Sequence, residues 1–335
     1  MRSASQPLVS VVTPVYNCAE YLPECIASVL SQTYQNWEYT IVDNLSTDAS
    51  FQIAQRYAAR DSRIRVVQNR QFVPALRNHN LALRQISRTS KYCKVVFADD
   101  WIFPECLEKM VGLAEKHPSV GIVSAFGLLG RQIMCAGLPY CRTVVAGREI
   151  CRQHLVENLH LFGSATTLLY RADLVRSHEP FFNETNIHAD TEACFALLRT
   201  CDFGFVHQVL TFTRLRPGSL NTVSDSLQTN LAGNLLILRT YGPYYLTEKE
   251  LDERTAKCLC DYYRFLGRSV FLGRDRKFWN YHKEMLVESG IGMNKARLAW
   301  AALGCLFSAA WRFQDTIEKL RKAWIKKDPA KHDLN

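Results

Sequence analysis

Val9-Ser-Val-Val-Thr-Pro-Val-Tyr-Asn17 decides the fold of this chain. The β-branched run Leu8–Val12 reads as a strand covered on both faces, and Thr13–Asn17 as the loop at its carboxyl end. Four further apolar runs follow at short spacing: Tyr39–Val42, Ile64–Val67, Val95–Phe97 and Val120–Val123. Between them lie helix-like segments at Tyr21–Ser31, Ala49–Ala59, Ala75–Ile86 and Glu105–Lys116, with an N-cap offered by Ser46 or Asp48 and Pro104 at a helix start. The alternation predicts an α/β fold: a mostly parallel central sheet flanked by helices, with a Rossmann-like nucleotide-binding half. From about Ser224 the pattern turns helical and basic, so residues 1–224 are expected to form one domain and residues 225–335 a helical C-terminal extension.

Sheets of this kind bind ligands beyond the carboxyl ends of their strands. The segments there are Thr13–Asn17, Asp43-Asn-Leu-Ser-Thr-Asp48, the stretch Asn69–Arg77 and Ala98-Asp-Asp-Trp101. Three of the four place carboxylates or amides directly after an apolar strand. The first strand is followed by neither GxGxxG nor GxxxxGK[ST], which disfavours a dinucleotide dehydrogenase or a P-loop NTPase. A nucleotide held here needs another partner for its phosphates, and the adjacent acids Asp99 and Asp100 suggest a divalent metal, Mn2+ or Mg2+. Capping of the helix after Pro104 is the competing reading of this pair.

The net charge of +9 is unevenly placed: residues 254–335 hold 17 Lys or Arg against 8 Asp or Glu, whereas residues 1–253 hold 24 of each. This basic segment lacks a motif with interleaved aromatics, so no nucleic-acid partner is expected. Leu298–Trp311 is 14 residues of small, apolar and aromatic character with Lys295 and Arg297 before it and Arg312 after it. That is too short to span a bilayer; it reads either as a packed helix or as peripheral contact with anionic lipid, helped by Lys319, Arg321, Lys322, Trp324, Lys326 and Lys327. The twelve scattered cysteines include no CxxC pair and read as reduced apolar residues, which points to the cytoplasm, at the inner face of a membrane if the contact exists.

The motifs together resemble the family 2 glycosyltransferases of GT-A fold over roughly residues 7–225. The resemblance runs through Val9–Asn17, Ser28-Val-Leu-Ser-Gln-Thr33, Trp37-Glu38, Ile41-Val-Asp43, Ser46-Thr-Asp48, Leu76-Arg-Asn78 and Phe97–Trp101 with Pro104-Glu105 and Leu107. Gly163–Arg171, Ala189-Asp190 and Arg214–Ser219 continue it. It implies inverting transfer of a sugar from a nucleotide-diphosphate donor to a hydroxyl of a glycan or glycolipid, in a polysaccharide or glycolipid setting. Donor contacts would fall to Thr13, Pro14, Asn17, Asp43, Arg77, Asp99 and Arg216. Asp99 and Asp100 form the DxD-like metal motif, in an order the resemblance leaves open. Asp190 would be the catalytic base, with Glu192 as the fallback; taken alone, Asp190 reads as a helix N-cap. The chain departs from the family at Asn44, Leu45, Phe97 and Ala189, where a second Asp, a Gly, an Asp and a Glu are usual. Those departures motivate the alternative of a nucleotide-sugar-binding protein without turnover; a sugar nucleotidyltransferase is the chemical rival.

Overall fold

The computed structural model describes residues 6–217 and 219–307. Two compact units divide the chain: Met1–Ser226 with Thr240–Leu251, and Leu227–Arg239 with Asp252–Asn335.

In the first unit, β1 (Val9–Val15), β2 (Trp37–Asp43), β3 (Ile64–Gln68) and β4 (Tyr92–Val95) pair in parallel in the order β3-β2-β1-β4. The helices between them are α1 (Leu22–Leu30), α2 (Ser50–Ala58) and α3 (Ala75–Leu83). All seven residues of β1 are buried, as the continuous apolar run requires. Leu22, Cys25, Ile26 and Val29 recur at helical spacing on α1 and are fully buried against this sheet. Pro14 is tolerated in a central strand for a local reason. Val12 accepts from Val96 N, so Pro14 turns its N toward the same β4 side, beyond the last β1–β4 pair, where no ladder bond is lost.

The chain continues through β5 (Trp101–Ile102), α4 (Cys106–Lys116), β6 (Val120–Leu129), β7 (Gln132–Met134), β8 (Val144–Val145) and α5 (Gly147–Glu157). A 3-10 turn at Ala165–Thr167 leads into β9 (Leu169–Arg171), α6 (Ala172–Arg176), α7 (Ala189–Leu197) and β10 (Asp202–Thr213). Beyond β4 the order is β9-β6-β10-β5, with β9 antiparallel to both neighbours and β10 parallel to β6. The parallel order read from the sequence thus describes β3 to β4 and gives way to mixed pairing where the short β9 inserts between β4 and β6. Strand order reverses at β1: the chain steps outward to β2 and β3, then returns to place β4 on the other flank. The crevice between the carboxyl ends of β1 and β4 is therefore the switch point at which such sheets hold ligands.

The remaining helices are α8 (Leu220–Leu227), α9 (Asn230–Tyr245), α10 (Glu248–Ser269) and α11 (Arg276–Glu288), followed by helical residues 295–307. The second unit has its own core of Ala232, Leu235, Tyr262, Leu266, Phe278, Met285 and Leu286. Within it His282 links Tyr262 Oη (2.7 Å) to Leu227 O (2.9 Å), and burial pushes its pKa down to about 4. All twelve cysteines are free thiols and eight are buried, consistent with use as small apolar residues.

Candidate active site

A cavity of about 400 Å³ opens at the switch point. Its wall includes Pro14 and Asn17 from the β1 loop, Asn44 after β2, Phe97 to Asp100 after β4, Asp190 on α7, and Arg214 and Arg216 after β10. Six of the residues singled out in the sequence, Pro14, Asn17, Asp99, Asp100, Asp190 and Arg216, therefore line one space. Thr13, Asp43 and Arg77 stand outside the lining.

Thr13 is fully buried and braces the floor, donating to Val96 O at 2.7 Å and sharing a 2.8 Å bond with Tyr39 Oη. Asp43 ends β2 and is 1% exposed; its Oδ2 accepts from Ser46 N (3.1 Å) and Gln68 Nε2 (3.0 Å). Its Oδ1 is buried and has no hydrogen-bond partner, a costly state that a ligand N–H or O–H would relieve. Arg77 is exposed on α3, and no described residue pairs with it. Asn17 lies in the left-handed region (φ 48°) and clips two loops together, accepting from Thr47 N at 2.8 Å and donating to Thr47 Oγ1 at 3.1 Å.

Asn44, where a second Asp is usual, donates to Val73 O (2.8 Å) and accepts from Val73 N (3.1 Å) and Asn69 Nδ2 (2.9 Å). A carboxylate there could not donate to Val73 O, so the amide matches this loop. Leu45 adopts φ 57°, the conformation in which glycine is strain-free.

The acids are held differently. Asp100 is 3% exposed; its Oδ1 accepts from Arg214 N (3.0 Å) and its Oδ2 from Thr166 Oγ1 (2.7 Å). Burial, and then the adjacent Asp99 charge, push its pKa up to about 7 against those bonds. Asp99 Oδ2 pairs with Arg216 Nε at 2.5 Å, and none of the described residues hydrogen-bonds its Oδ1. Neither acid caps α4, whose N-cap is Glu105 without a side-chain bond.

Asp190 sits in the first turn of α7, behind the N-cap His188, and its Oδ1 accepts from Thr191 N at 2.7 Å. No cation pairs with it among the described residues, and burial raises its pKa to about 6. Glu192 is spent elsewhere: it accepts from Asn186 Nδ2 (2.7 Å), Asn183 Nδ2 (3.1 Å) and Tyr241 Oη (3.4 Å). Two residues apart on a helix, Asp190 and Glu192 point about 200° apart, so only one can face the cavity.

Several lining residues were not singled out from the sequence. Tyr16 and Phe72 pack at 4.8 Å between centroids and are both exposed, a ready aromatic surface for a planar ring. His79 lies against Phe97 (4.7 Å), and burial lowers its pKa to about 4, so the ring is neutral. Cys18 touches Arg216 Nη2 at 3.3 Å, with its thiol pushed up to about 11 by burial. Exposed loop aromatics carry no sequence signal that separates them from ordinary turn residues. Among the described residues no three or more His, Cys, Asp or Glu groups converge as a metal cage. A cation would rest on the Asp99–Asp100 pair and complete its shell with water and ligand oxygens, as magnesium sites do.

The α/β unit thus gathers three acids, Asp99, Asp100 and Asp190, and two arginines, Arg214 and Arg216, at its switch point. Residues 10–132 match Glycosyl transferase family 2. The glycosyltransferase GlyG of Streptococcus pneumoniae serotype 4 is 35% identical over 225 residues, 64% of this chain and 72% of that protein. A Bacillus subtilis protein provisionally named glycosyltransferase EpsE is 35% identical over 188 residues, 47% of this chain and 66% of that one. The chain spans between 58% and 66% of the length of three of the curated relatives it matches. The fold is shared with residues 1–349 of S. aureus TarS, solved in complex with UDP-GlcNAc: TM-score 0.62, 19% identity, covering 88% of this chain and 87% of that one. The chain belongs to glycosyltransferase family 2, and its first unit has the GT-A type fold.

Proposed function

We propose that this chain is an inverting, metal-dependent glycosyltransferase, with its catalytic domain in residues 1–224. It would move a glycosyl group from a nucleotide-diphosphate sugar to a hydroxyl of a glycan or glycolipid, in polysaccharide or glycolipid synthesis on the cytoplasmic side. One observation carries this reading: the adjacent Asp99 and Asp100 and the distant Asp190 line one cavity with the β1 loop.

Asp43 Oδ1, the Asn17 loop and the Tyr16–Phe72 pair would receive the nucleoside, with Thr13 and Pro14 shaping the floor and Arg77 at the rim. Asp99 and Asp100 would hold a divalent cation, which supplies Lewis-acid stabilisation of the departing diphosphate when bound. The unbonded Asp99 Oδ1 and the adjacency of two carboxylates, one of them buried, fit a cation held by the pair. Arg216 would exchange its Asp99 partner for a phosphate oxygen. Asp190 accepts the acceptor hydroxyl proton as that oxygen bonds to the anomeric carbon; the bond to the diphosphate breaks, and its electron pair leaves on the phosphate oxygen. A carboxylate with a pKa of about 6 is a better base than an ordinary Asp. One displacement inverts the anomeric centre.

The direct test is a thermal-shift series with nucleoside diphosphates, with and without manganese. A bound nucleotide at 100 times its Kd adds about 2.7 kcal/mol, a rise of roughly 4 °C for a chain of this size. No rise with any nucleotide would remove the basis of the proposal. Product analysis then separates the rivals: nucleoside diphosphate for transfer, pyrophosphate for a nucleotidyltransferase, neither for a binder.

We also propose peripheral membrane contact through the basic C-terminal region, residues 225–335. No helix among the described residues is long and apolar enough to cross a membrane. Helical residues 295–307 expose Trp300 (76%), Leu303, Leu306 and Phe307 (75%) beyond Lys295 and Arg297. Ser308 to Trp311 and the basic residues Arg312 to Lys327 lie outside the described residues. The chain should sediment with anionic vesicles at low salt and be released as salt rises. Retention in the supernatant at low salt would end this part of the proposal.

A further inference from the structure

Lys94 is a lysine in the middle of the buried strand β4; it has no exposed surface, and burial lowers its pKa. Its neighbours Cys93 and Val95 are equally buried, and no carboxylate pairs with it among the described residues. Its ammonium instead donates to Thr166 O (2.7 Å) and Leu168 O (3.2 Å), the carbonyls flanking the end of the 3-10 turn Ala165–Thr167. Burying an ammonium is costly, and an apolar side chain would suit a strand interior better unless those carbonyls must be held.

What the turn carries supplies the reason. Thr166 is fully buried, and its Oγ1 accepts from Phe97 N (3.1 Å) and donates to Asp100 Oδ2 (2.7 Å). An amide can only donate, so the hydroxyl must use a lone pair on Phe97 N and direct its proton at Asp100. Lys94, Phe97 and Asp100 are three residues apart on one segment, and all three converge on Thr166.

We propose that Lys94 and Thr166 are positioning residues: Lys94 fixes the backbone of the 165–167 turn, and the Thr166 hydroxyl sets the rotamer in which Asp100 faces the cavity. This rests on the transferase reading of the same site. Without the Thr166 hydroxyl, Arg214 N alone would hold one Asp100 oxygen, leaving the carboxylate free to turn about that bond. Neither residue touches substrate.

The test compares Thr166→Val, Thr166→Ser and Lys94→Met with wild type. The readouts are manganese binding by titration of the free enzyme, UDP or GDP binding with manganese present, and donor kcat and KM. Thr166→Val should keep a cooperative melt while weakening manganese-dependent nucleotide binding by about tenfold, the effect of one misplaced ligand-orienting partner. Thr166→Ser should restore affinity to within about threefold, because the hydroxyl and not the methyl does the positioning. Lys94→Met should weaken binding in the same direction, and the double variant with Thr166→Val should fall short of the product of the two losses. If Lys94→Met does not fold, the Val and Ser pair at Thr166 decides. Wild-type affinity in Thr166→Val, or a stable Thr166→Ser that stays as weak as Val, would overturn the proposal. Absence of any nucleotide or manganese binding by wild type would instead sink the transferase reading, and this inference with it.

Discussion

Asp190→Asn should lower kcat/KM by about 10²–10⁴-fold, the usual contribution of a general base, and should at the same time stabilise the fold at pH 7. Both effects follow from one environment. Asp190 lies in the cavity with no cation beside it among the described residues, and burial raises its pKa from 3.8 to about 6. For catalysis the ionised form is the working one, so wild-type kcat/KM should rise with pH through about 6 and then level off. For stability the sign is opposite. Between about pH 4 and 6 the folded chain keeps a proton that the unfolded chain has lost, so the contribution of Asp190 is most favourable below pH 4 and is lost as pH rises through 6. An amide keeps the acceptor for Thr191 N and never ionises. The gain at pH 7 should be about 1–3 kcal/mol after allowing for partial solvent contact, vanishing below pH 4. Rates at saturating donor, with denaturant melts at pH 4 and 7, check both halves. An activity loss under tenfold would remove Asp190 from the chemistry; a stability loss at pH 7 would contradict the desolvated environment.

Much of this site could be read in advance because strands covered on both faces must be continuously apolar. The runs at Val9, Tyr39, Ile64 and Val120 therefore marked strands, although β1 continues through Thr13 to Val15 and β6 to Leu129, past the points where the apolar runs stop; the acids after β2 and β4 fell where switch-point geometry places ligands. What stayed hidden depends on side-chain direction and on pairing between distant segments. Thr13 and Pro14 are adjacent, yet alternation along β1 sends one into the floor and leaves the other on the wall. Asp43 ends its strand as expected but turns its Oδ2 to Ser46 and Gln68. Asp190 and Glu192 differ only in which side of α7 they occupy. The insertion of β9 between β4 and β6 has three residues of pattern behind it, too few for periodicity to register. Lys94 did leave a trace, a lone cation inside Tyr92-Cys-Lys-Val-Val96, and its meaning required Thr166, 72 residues away. The departures at Asn44 and Phe97 are equally local: Asn44 braces the Val73 loop, and Phe97 packs on His79.

The Asp99→Ala, Asp100→Ala double variant should lose transfer by at least about 10³-fold and lose all manganese-dependent nucleotide stabilisation. Charge developing on the departing diphosphate is countered in a dry site, where removing even one stabilising group costs about 3–4 kcal/mol. The fold should survive. Ionised Asp100 is buried beside a like charge, so its deletion relieves repulsion while stranding the Arg214 amide and the Thr166 hydroxyl, at about 1–3 kcal/mol. Arg216 supplies the contrast that tells a cation site from a merely acidic patch. Its guanidinium holds Asp99 Oδ2 at 2.5 Å and so offsets the negative charge of the carboxylate that a cation would share; Arg216→Ala should therefore strengthen manganese binding to the free enzyme. The same variant should weaken nucleoside diphosphate binding, because the arginine that left Asp99 is the one freed for a phosphate. Opposite signs in one variant cannot come from general loosening of the loop, which would weaken both. If both affinities move together, Arg216 is a structural partner of Asp99, and the diphosphate must find its counter-charge elsewhere.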